Sequence, residues 1–257
     1  MVPDPAEIGI VPLNGDGDFR SAEGIAILEQ ADIVVTNPPF SLFREYVAQL
    51  IQHGKKFIIV GNQNAISYKD IFRLIQDDKM WLGYNNGDMS FRVPEHYPPR
   101  ETRFWVDDDG HKWRSLGNAC WFTNIDVAKR HENLILYKSY SPDLYPSYDN
   151  YDAIDVSKVT DIPGDYDGVM GVPLTFLDKY NPDQFEILGL SGSDYPTTKK
   201  YGKKERVVDG VRRKSNTGSL GCVVRTDTFG PGTHFDVGYP VRGIYRRIFI
   251  RRKGANA

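Results

Sequence analysis

The chain of 257 residues is long enough for one large domain or two smaller ones, and at 40% hydrophobic and 26% charged it has the composition of a globular protein. No apolar run approaches membrane-span length, the start lacks a basic-then-apolar secretory pattern, and Cys120 and Cys222 sit alone in apolar contexts. This points to a cytoplasmic protein with buried thiols and argues against a membrane partner, a disulfide or a cysteine metal site.

Residues 1 to 14 carry three prolines and are expected to cross the surface before a short strand near Ile8 to Leu13. Gly15-Asp16-Gly17-Asp18-Phe19 reads as a tight turn in which Asp16 or Asp18 folds back on the backbone. Ser21 is placed as the N-cap of a helix running to Gln30, with Ala22, Ile25, Ala26 and Leu28 at helical spacing. The continuous β-branched run Ile33-Val34-Val35 then predicts a strand buried on both faces of a parallel sheet.

That strand stops at Asn37-Pro38-Pro39-Phe40. Two prolines lack N–H donors and fix φ, so the chain leaves the sheet's carboxyl edge as a stiff turn, at the edge where open α/β sheets bind ligands. The Asn37 amide oxygen and the Pro38 carbonyl form two fixed acceptors able to take both hydrogens of an exocyclic amine, and Phe40 offers a flat face to a heterocycle. An aromatic amine is a poor nucleophile because its lone pair is delocalised; two acceptors on its hydrogens favour a more tetrahedral nitrogen. The plainer alternative is a strand-terminating turn with no ligand.

Leu42 to Gln52 predicts a second helix ended by Gly54, and Phe57 to Val60 a second buried parallel strand, giving a crossover unit. Gly61-Asn62-Gln63-Asn64 leaves it as turn residues or substrate contacts. Tyr68 to Ile75 reads as a helix, and Met80 to Asp88 as a strand entering a loop; Tyr84 or Phe91 is either core or the second aromatic wall of a base pocket. Phe104 to Trp113 predicts a hairpin whose acidic turn, Asp107-Asp108-Asp109-Gly110, has turn spacing and no metal-loop pattern. Gly117 to Thr123 and Leu134 to Tyr137 are expected to complete the sheet by antiparallel pairing. Ser141 to Gly168, rich in Pro, Tyr and Asp, reads as a tyrosine-pinned connector and a domain boundary. A helix at Thr175 to Tyr180 and a strand at Phe185 to Leu190 follow.

The net charge of −2 conceals a split: from Lys199 to the end, 15 Lys and Arg face four acids, or +11, leaving 17 against 30, or −13, before it. Lys199, Lys200, Lys203, Lys204, Arg212, Arg213 and Lys214 stand in a polar stretch, Ser191 to Gly221, expected to be mobile until it meets a polyanion. The interspersed apolar residues and the strand expected at Ile244 to Arg252 favour a folded nucleic-acid-binding surface over a solvated tail, with its arginines on backbone phosphates.

Asn37-Pro38-Pro39-Phe40 resembles the Asp/Asn/Ser-Pro-Pro-Tyr/Phe signature of amino-group DNA methyltransferases. With Leu13 to Phe19, Lys55 to Asn62 and the basic end, the chain resembles the EcoRI-type adenine-specific methyltransferases over most of its length. The resemblance implies methyl transfer from S-adenosylmethionine to N6 of an adenine flipped out of double-stranded DNA, with Asn37, Pro38, Pro39 and Phe40 as the catalytic turn. It implies that Asp18 accepts from the cofactor's adenine amino group, that Phe19 packs beside that ring, and that Leu42 or Phe43 touches the cofactor. The fold class that goes with it is α/β. Residues 1–140 would form a partial Rossmann-like, mixed and mostly parallel sheet as catalytic core, and residues 141–257 a smaller α+β target-recognition region, basic from 199. No metal is implied.

The family's Gly-rich cofactor loop lies upstream of the position of Asp18, and only 17 residues precede Asp18 here, none forming such a loop. A missing N-terminal segment or a second polypeptide is therefore expected. Two other readings stand beside the main one: a catalytically incomplete DNA-binding remnant, and an N-methyltransferase acting on RNA or a protein amide.

Overall fold

The computed structural model describes residues 12–84, 89–202, 204–214 and 220–254. Contacts divide the chain into two units, Met1–Gln63 with Asn85–Ile125 and Asn64–Tyr84 with Asp126–Ala257. The expected boundary near 140 falls inside the second.

In the first unit Ser21 caps α1 (Ala22–Gln30), its side chain accepting from the Gly24 N–H at 3.0 Å. The β-branched run forms β1 (Ile33–Thr36), which leads through the proline turn and a 3₁₀ turn (Phe40–Leu42) into α2 (Phe43–Gln52) and β2 (Lys56–Asn62). Gly54, at φ 62°, ends α2 in the left-handed region, as expected. β1 and β2 pair in parallel from Ile33↔Lys56 to Thr36↔Ile59. β2 then pairs antiparallel with a strand formed by Ala119–Thr123. Phe57 and Ile59 on β2 are fully buried.

β1 departs from expectation. Ile33 is 56% and Val35 67% exposed, so the face of β1 that carries them is open among the described residues; β1 also pairs only with β2, its other edge without a partner among those residues. A run of β-branched residues looks the same whether its sheet face is covered or open.

Three shorter strands, β3 (Ser90–Arg92), β4 (Phe104–Val106) and β5 (Lys112–Ser115), form an antiparallel sheet that includes the expected hairpin. The Ala119–Thr123 strand is β6. The expected Leu134–Tyr137 strand is absent among the described residues. Both backbone groups of Leu134 are held by the Gln184 side chain, at 2.7 and 2.8 Å, and Ile135 and Tyr137 lie exposed.

The second unit holds α3 (Lys69–Gln76) and two sheets. In one, β7 (Ile154–Asp155) pairs in parallel with β8 (Met170–Pro173), and β15 (Arg247–Arg252) runs antiparallel between β8 and β9 (Phe185–Leu190). The other is antiparallel, in the order β11 (Val211–Lys214), β10 (Glu205–Val208), β13 (Thr233–Asp236), β14 (Pro240–Ile244), β12 (Cys222–Arg225). Tyr145, Tyr148 and Tyr151 are buried, so the segment expected to connect domains is core, with Tyr148 and Tyr151 packed against Phe249.

Two expectations for the basic end change. Glu205 to Lys214 folds as a hairpin rather than a mobile segment, turning at Asp209 (φ 48°) and Gly210 (φ 81°), while Lys203 and residues 215–219 lie outside the described residues. The Ile244–Arg252 strand is two strands, and residues 247–250 of β15 are all buried because the strand is central in its sheet. At the level of a mixed α/β chain with parallel and antiparallel strands the expected fold class holds. The parallel pairs with given register are β1/β2 and β7/β8.

Candidate active site

The turn after β1 is built as its sequence requires. Pro38 is buried and anchors the corner, Pro39 sits at φ −56° and ψ 125°, and the Pro39 carbonyl accepts from the Leu42 N–H at 2.9 Å to start the 3₁₀ turn. Asn37 is exposed, and neither its amide nor the Pro38 carbonyl takes a hydrogen bond among the described residues. Phe40 is 45% exposed. The corner thus presents two free acceptors and an accessible ring at the carboxyl end of β1, a geometry suited to an exocyclic amine.

The two candidates at the start of α2 part company. Phe43 is 1% exposed and tilts against Phe122 at 5.0 Å, over the space left by Gly61, where a Cβ would stand 2.5 Å from the Phe43 ring. It is a core residue, shielded from any ligand. Leu42 remains half-buried, the one of the pair a ligand can reach.

Asp18 and Phe19 are fastened to α2 from the other side. Asp18 accepts from the Arg20 backbone N–H at 2.9 Å and from its guanidinium at 2.7 Å, while Arg20 also reaches Glu45 at 3.1 Å. The hydrogen bonds from Arg20 hold the Asp18 carboxyl down to about 2, so it is an ionised acceptor at neutral pH. The Gln49 side chain donates to the Phe19 carbonyl at 2.9 Å, and Phe19 meets Tyr46 edge to face at 4.9 Å. Phe19, Tyr46, Leu28, Ile33 and Val35 border an apolar hollow of about 280 Å³. A planar ring fits the chemistry of this lining, with an ionised acceptor one residue from Phe19.

A family model described as adenine-specific methyltransferase EcoRI matches residues 1–228. The chain belongs to this family. Among curated relatives of the chain, the Type II methyltransferase M.EcoRI of Escherichia coli is 53% identical over 186 residues, covering 71% of this chain and 57% of the relative. The Type II methyltransferase M.MpnI of Mycoplasma pneumoniae is 43% identical over 200 residues, 76% of this chain and 62% of that protein. M.MgeORF184P of Mycoplasma genitalium, also named a Type II methyltransferase, is 45% identical over 194 residues, 72% of this chain and 60% of its own length. The chain spans about three fifths of these relatives. No solved structure matches it.

In this member of the family the basic residues singled out from sequence divide by structure. Arg213 and Lys214 are exposed on β11. Arg212 is engaged with Glu205 at 2.7 Å and Asp236 at 2.6 Å. Lys199, Lys200 and Lys204 line a hollow of about 300 Å³ with Asn150 and Tyr201, and Lys203 lies outside the described residues. The arginines of β15 do not serve as free phosphate contacts. Arg247 is buried against Asp155 at 3.0 Å, Arg251 pairs with Glu186 at 3.1 Å, and Arg252 donates to the Gly164 carbonyl.

Sequence reasoning missed Arg206, which stands directly across from Arg213 in the β10–β11 hairpin. Register alone makes the two arginines neighbours on one face, an arrangement that repels itself unless an anion lies between. It also missed that Asp107, Asp109 and His111 converge within 4.8 Å. Asp107 accepts there from the Asp109 and His111 N–H groups and from the Trp113 indole, which accounts for the cluster as the hydrogen bonding of a turn.

Proposed function

We propose that the chain is the catalytic and target-binding part of an S-adenosylmethionine-dependent N6-adenine DNA methyltransferase of a restriction-modification or phage-type system. The observation that carries this is Asn37: an exposed side-chain amide, free of protein partners among the described residues, on a rigid proline corner beside an accessible Phe40.

Asn37 and Pro38 accept the two hydrogens of an adenine amine that has been flipped from the duplex, and Phe40 stacks on the base. As these acceptors draw on the hydrogens, the nitrogen lone pair withdraws from the ring and becomes available for attack; the proton that the methylated amine must lose passes to solvent, the amine's hydrogens being held by hydrogen bonds to Asn37 and Pro38 until then. S-adenosylmethionine, when bound, supplies an electrophilic methyl group. The chain's own residues suited to hold it are Phe19 and Tyr46 at the apolar hollow, Asp18 as acceptor for an amino group, and Leu42. Arg20 fixes the orientation of Asp18, and Gln49 the backbone of Phe19.

The partial Rossmann-like sheet is assigned the chemistry and the basic part from Lys199 the DNA contact, with Arg206, Arg213 and Lys214 on phosphates. The edge of β1 opposite β2, which has no partner among the described residues, is where an N-terminal segment or a separate chain would complete the sheet and the cofactor loop. Transfer of labelled methyl to adenine in duplex DNA, with RNA and protein as competing substrates, tests the reading. Label appearing in DNA at N6 of adenine is expected; label in RNA or protein alone overturns it. Cofactor binding by this chain in calorimetry separates an enzyme part from a non-catalytic remnant.

A further inference from the structure

Asp149 gathers more donors than its own charge requires. Its side chain is 5% exposed, and its backbone is sewn to the β12 region through the Val223 carbonyl at 2.7 Å. Next to it, the Asn150 side chain accepts from the Val223 N–H at 2.9 Å and donates to the Gly221 carbonyl at 2.8 Å. One Asp149 oxygen accepts from the Arg225 Nε at 2.7 Å. The other accepts from the hydroxyls of Tyr201 at 2.6 Å and Tyr239 at 2.7 Å, with the Lys199 ammonium 3.3 Å away. Burial opposes the ionised carboxylate, but the hydrogen bonds from Tyr201, Tyr239, Arg225 and Lys199 outweigh it and hold Asp149 well below the usual carboxylate range.

One cation would neutralise this carboxylate; the structure supplies two. Both rest on the same ring, Arg225 at 4.5 Å and Lys199 at 4.9 Å from the Tyr239 centroid. Both also face solvent, at 66% and 39% exposure of their side chains. Arg225 meets Asp149 through Nε alone, and a guanidinium carries four further N–H donors in the fork geometry that suits phosphate. Lys199 shares with Lys200 and Lys204 the rim of the adjoining hollow.

We propose that Lys199 and Arg225 form a backbone-phosphate site for DNA, opening onto the Lys200 and Lys204 rim, and that Asp149 is the positioning residue that preorganises it. This rests on the reading of the basic region as DNA-binding and adds Arg225, with Asp149 behind it, to the residues already named there. Net charge favours a phosphodiester, because the carboxylate cancels one of the two cations and leaves the other's charge, with the free donors, for an anion.

The site makes a prediction of opposite sign to simple charge counting. Removing a negative charge beside DNA ought to tighten binding; removing a positioning carboxylate ought to weaken it. With the whole chain and a fluorescent DNA duplex, anisotropy titrations over a range of salt give affinity and the slope of log K against log salt. Arg225→Gln, at an exposed side chain, is expected to weaken binding several-fold and to reduce the slope by about one. Asp149→Asn is expected to weaken binding in the same direction, and Tyr239→Phe by less. Arg225→Gln with affinity and slope unchanged overturns the phosphate site while the DNA-binding reading stands. Tighter binding by folded Asp149→Asn overturns the positioning role. Absence of duplex binding by the unaltered chain counts against the DNA reading itself.

Discussion

The proline corner and the basic C-terminal region offer their functional groups in opposite ways. At the corner, Asn37 and the Pro38 carbonyl are left without partners among the described residues, so the backbone alone holds reactive acceptors ready. In the basic region charge is abundant, yet Arg212, Arg225, Arg247, Arg251 and Lys199 each lean on a carboxylate, while Arg206 and Arg213 have no such partner among the described residues. A local motif carries its chemistry with it. A charge acquires its role from what the fold sets beside it.

The sharpest way to separate the two kinds of cation is to break a buried one. Arg247→Met leaves the buried Asp155 carboxylate with the Tyr148 and Ser157 hydroxyls but without its cation, and stability in denaturant titration is expected to fall by about 3–5 kcal/mol. The salt dependence of DNA binding by the remaining folded protein should hold, since Arg247 is inside β15. A smaller loss, about 1–3 kcal/mol, is expected for Gly61→Ala, which drives a Cβ into Phe43 and Phe122. A thermal melt unchanged by that substitution contradicts the placement of Phe43 in the core.

The corner was legible because proline chemistry is local: two prolines after a β-branched run dictate a stop whatever surrounds them. The same holds for Ser21 as a cap and Gly54 as a terminator, and for the hairpin around Asp107. What could not be read is set by distant neighbours. The openness of β1 depends on what covers the face that carries Ile33 and Val35, the burial of β15 on flanking strands that are far away in sequence, and the loss of the Leu134–Tyr137 strand on Gln184. Phe43 and Leu42 share helical spacing and apolar character, and only the Gly61 gap decides which one is enclosed. Arg206 was overlooked because its significance lies in register with Arg213, which no count of charges reveals.

On the exposed side of the comparison, Arg213→Ala is expected to lower the salt slope of DNA binding by about one while leaving stability equal or slightly higher, because the repulsion with Arg206 is relieved. An unchanged slope removes this hairpin from the DNA surface. The mildest effect concerns His131, bridged to Asp183 at 2.6 Å and Asp126 at 2.9 Å. The hydrogen bonds to Asp183 and then Asp126 raise its pKa above the ordinary 6.5. Its contribution is therefore complete below 6.5 and fades as pH rises through the raised value. Stability against pH should show a small decline above 6.5 that His131→Gln removes; an identical profile in that variant assigns the decline elsewhere.

Asn37, as acceptor for the amine of a flipped adenine, is the residue on which the proposed chemistry depends. Its most direct test is the single-turnover methylation rate of Asn37→Ala, in a version of the protein that includes the rest of its relatives' length, measured alongside DNA affinity. The prediction is a rate lower by at least about 10²-fold with affinity unchanged; a rate close to that of the unaltered protein contradicts it.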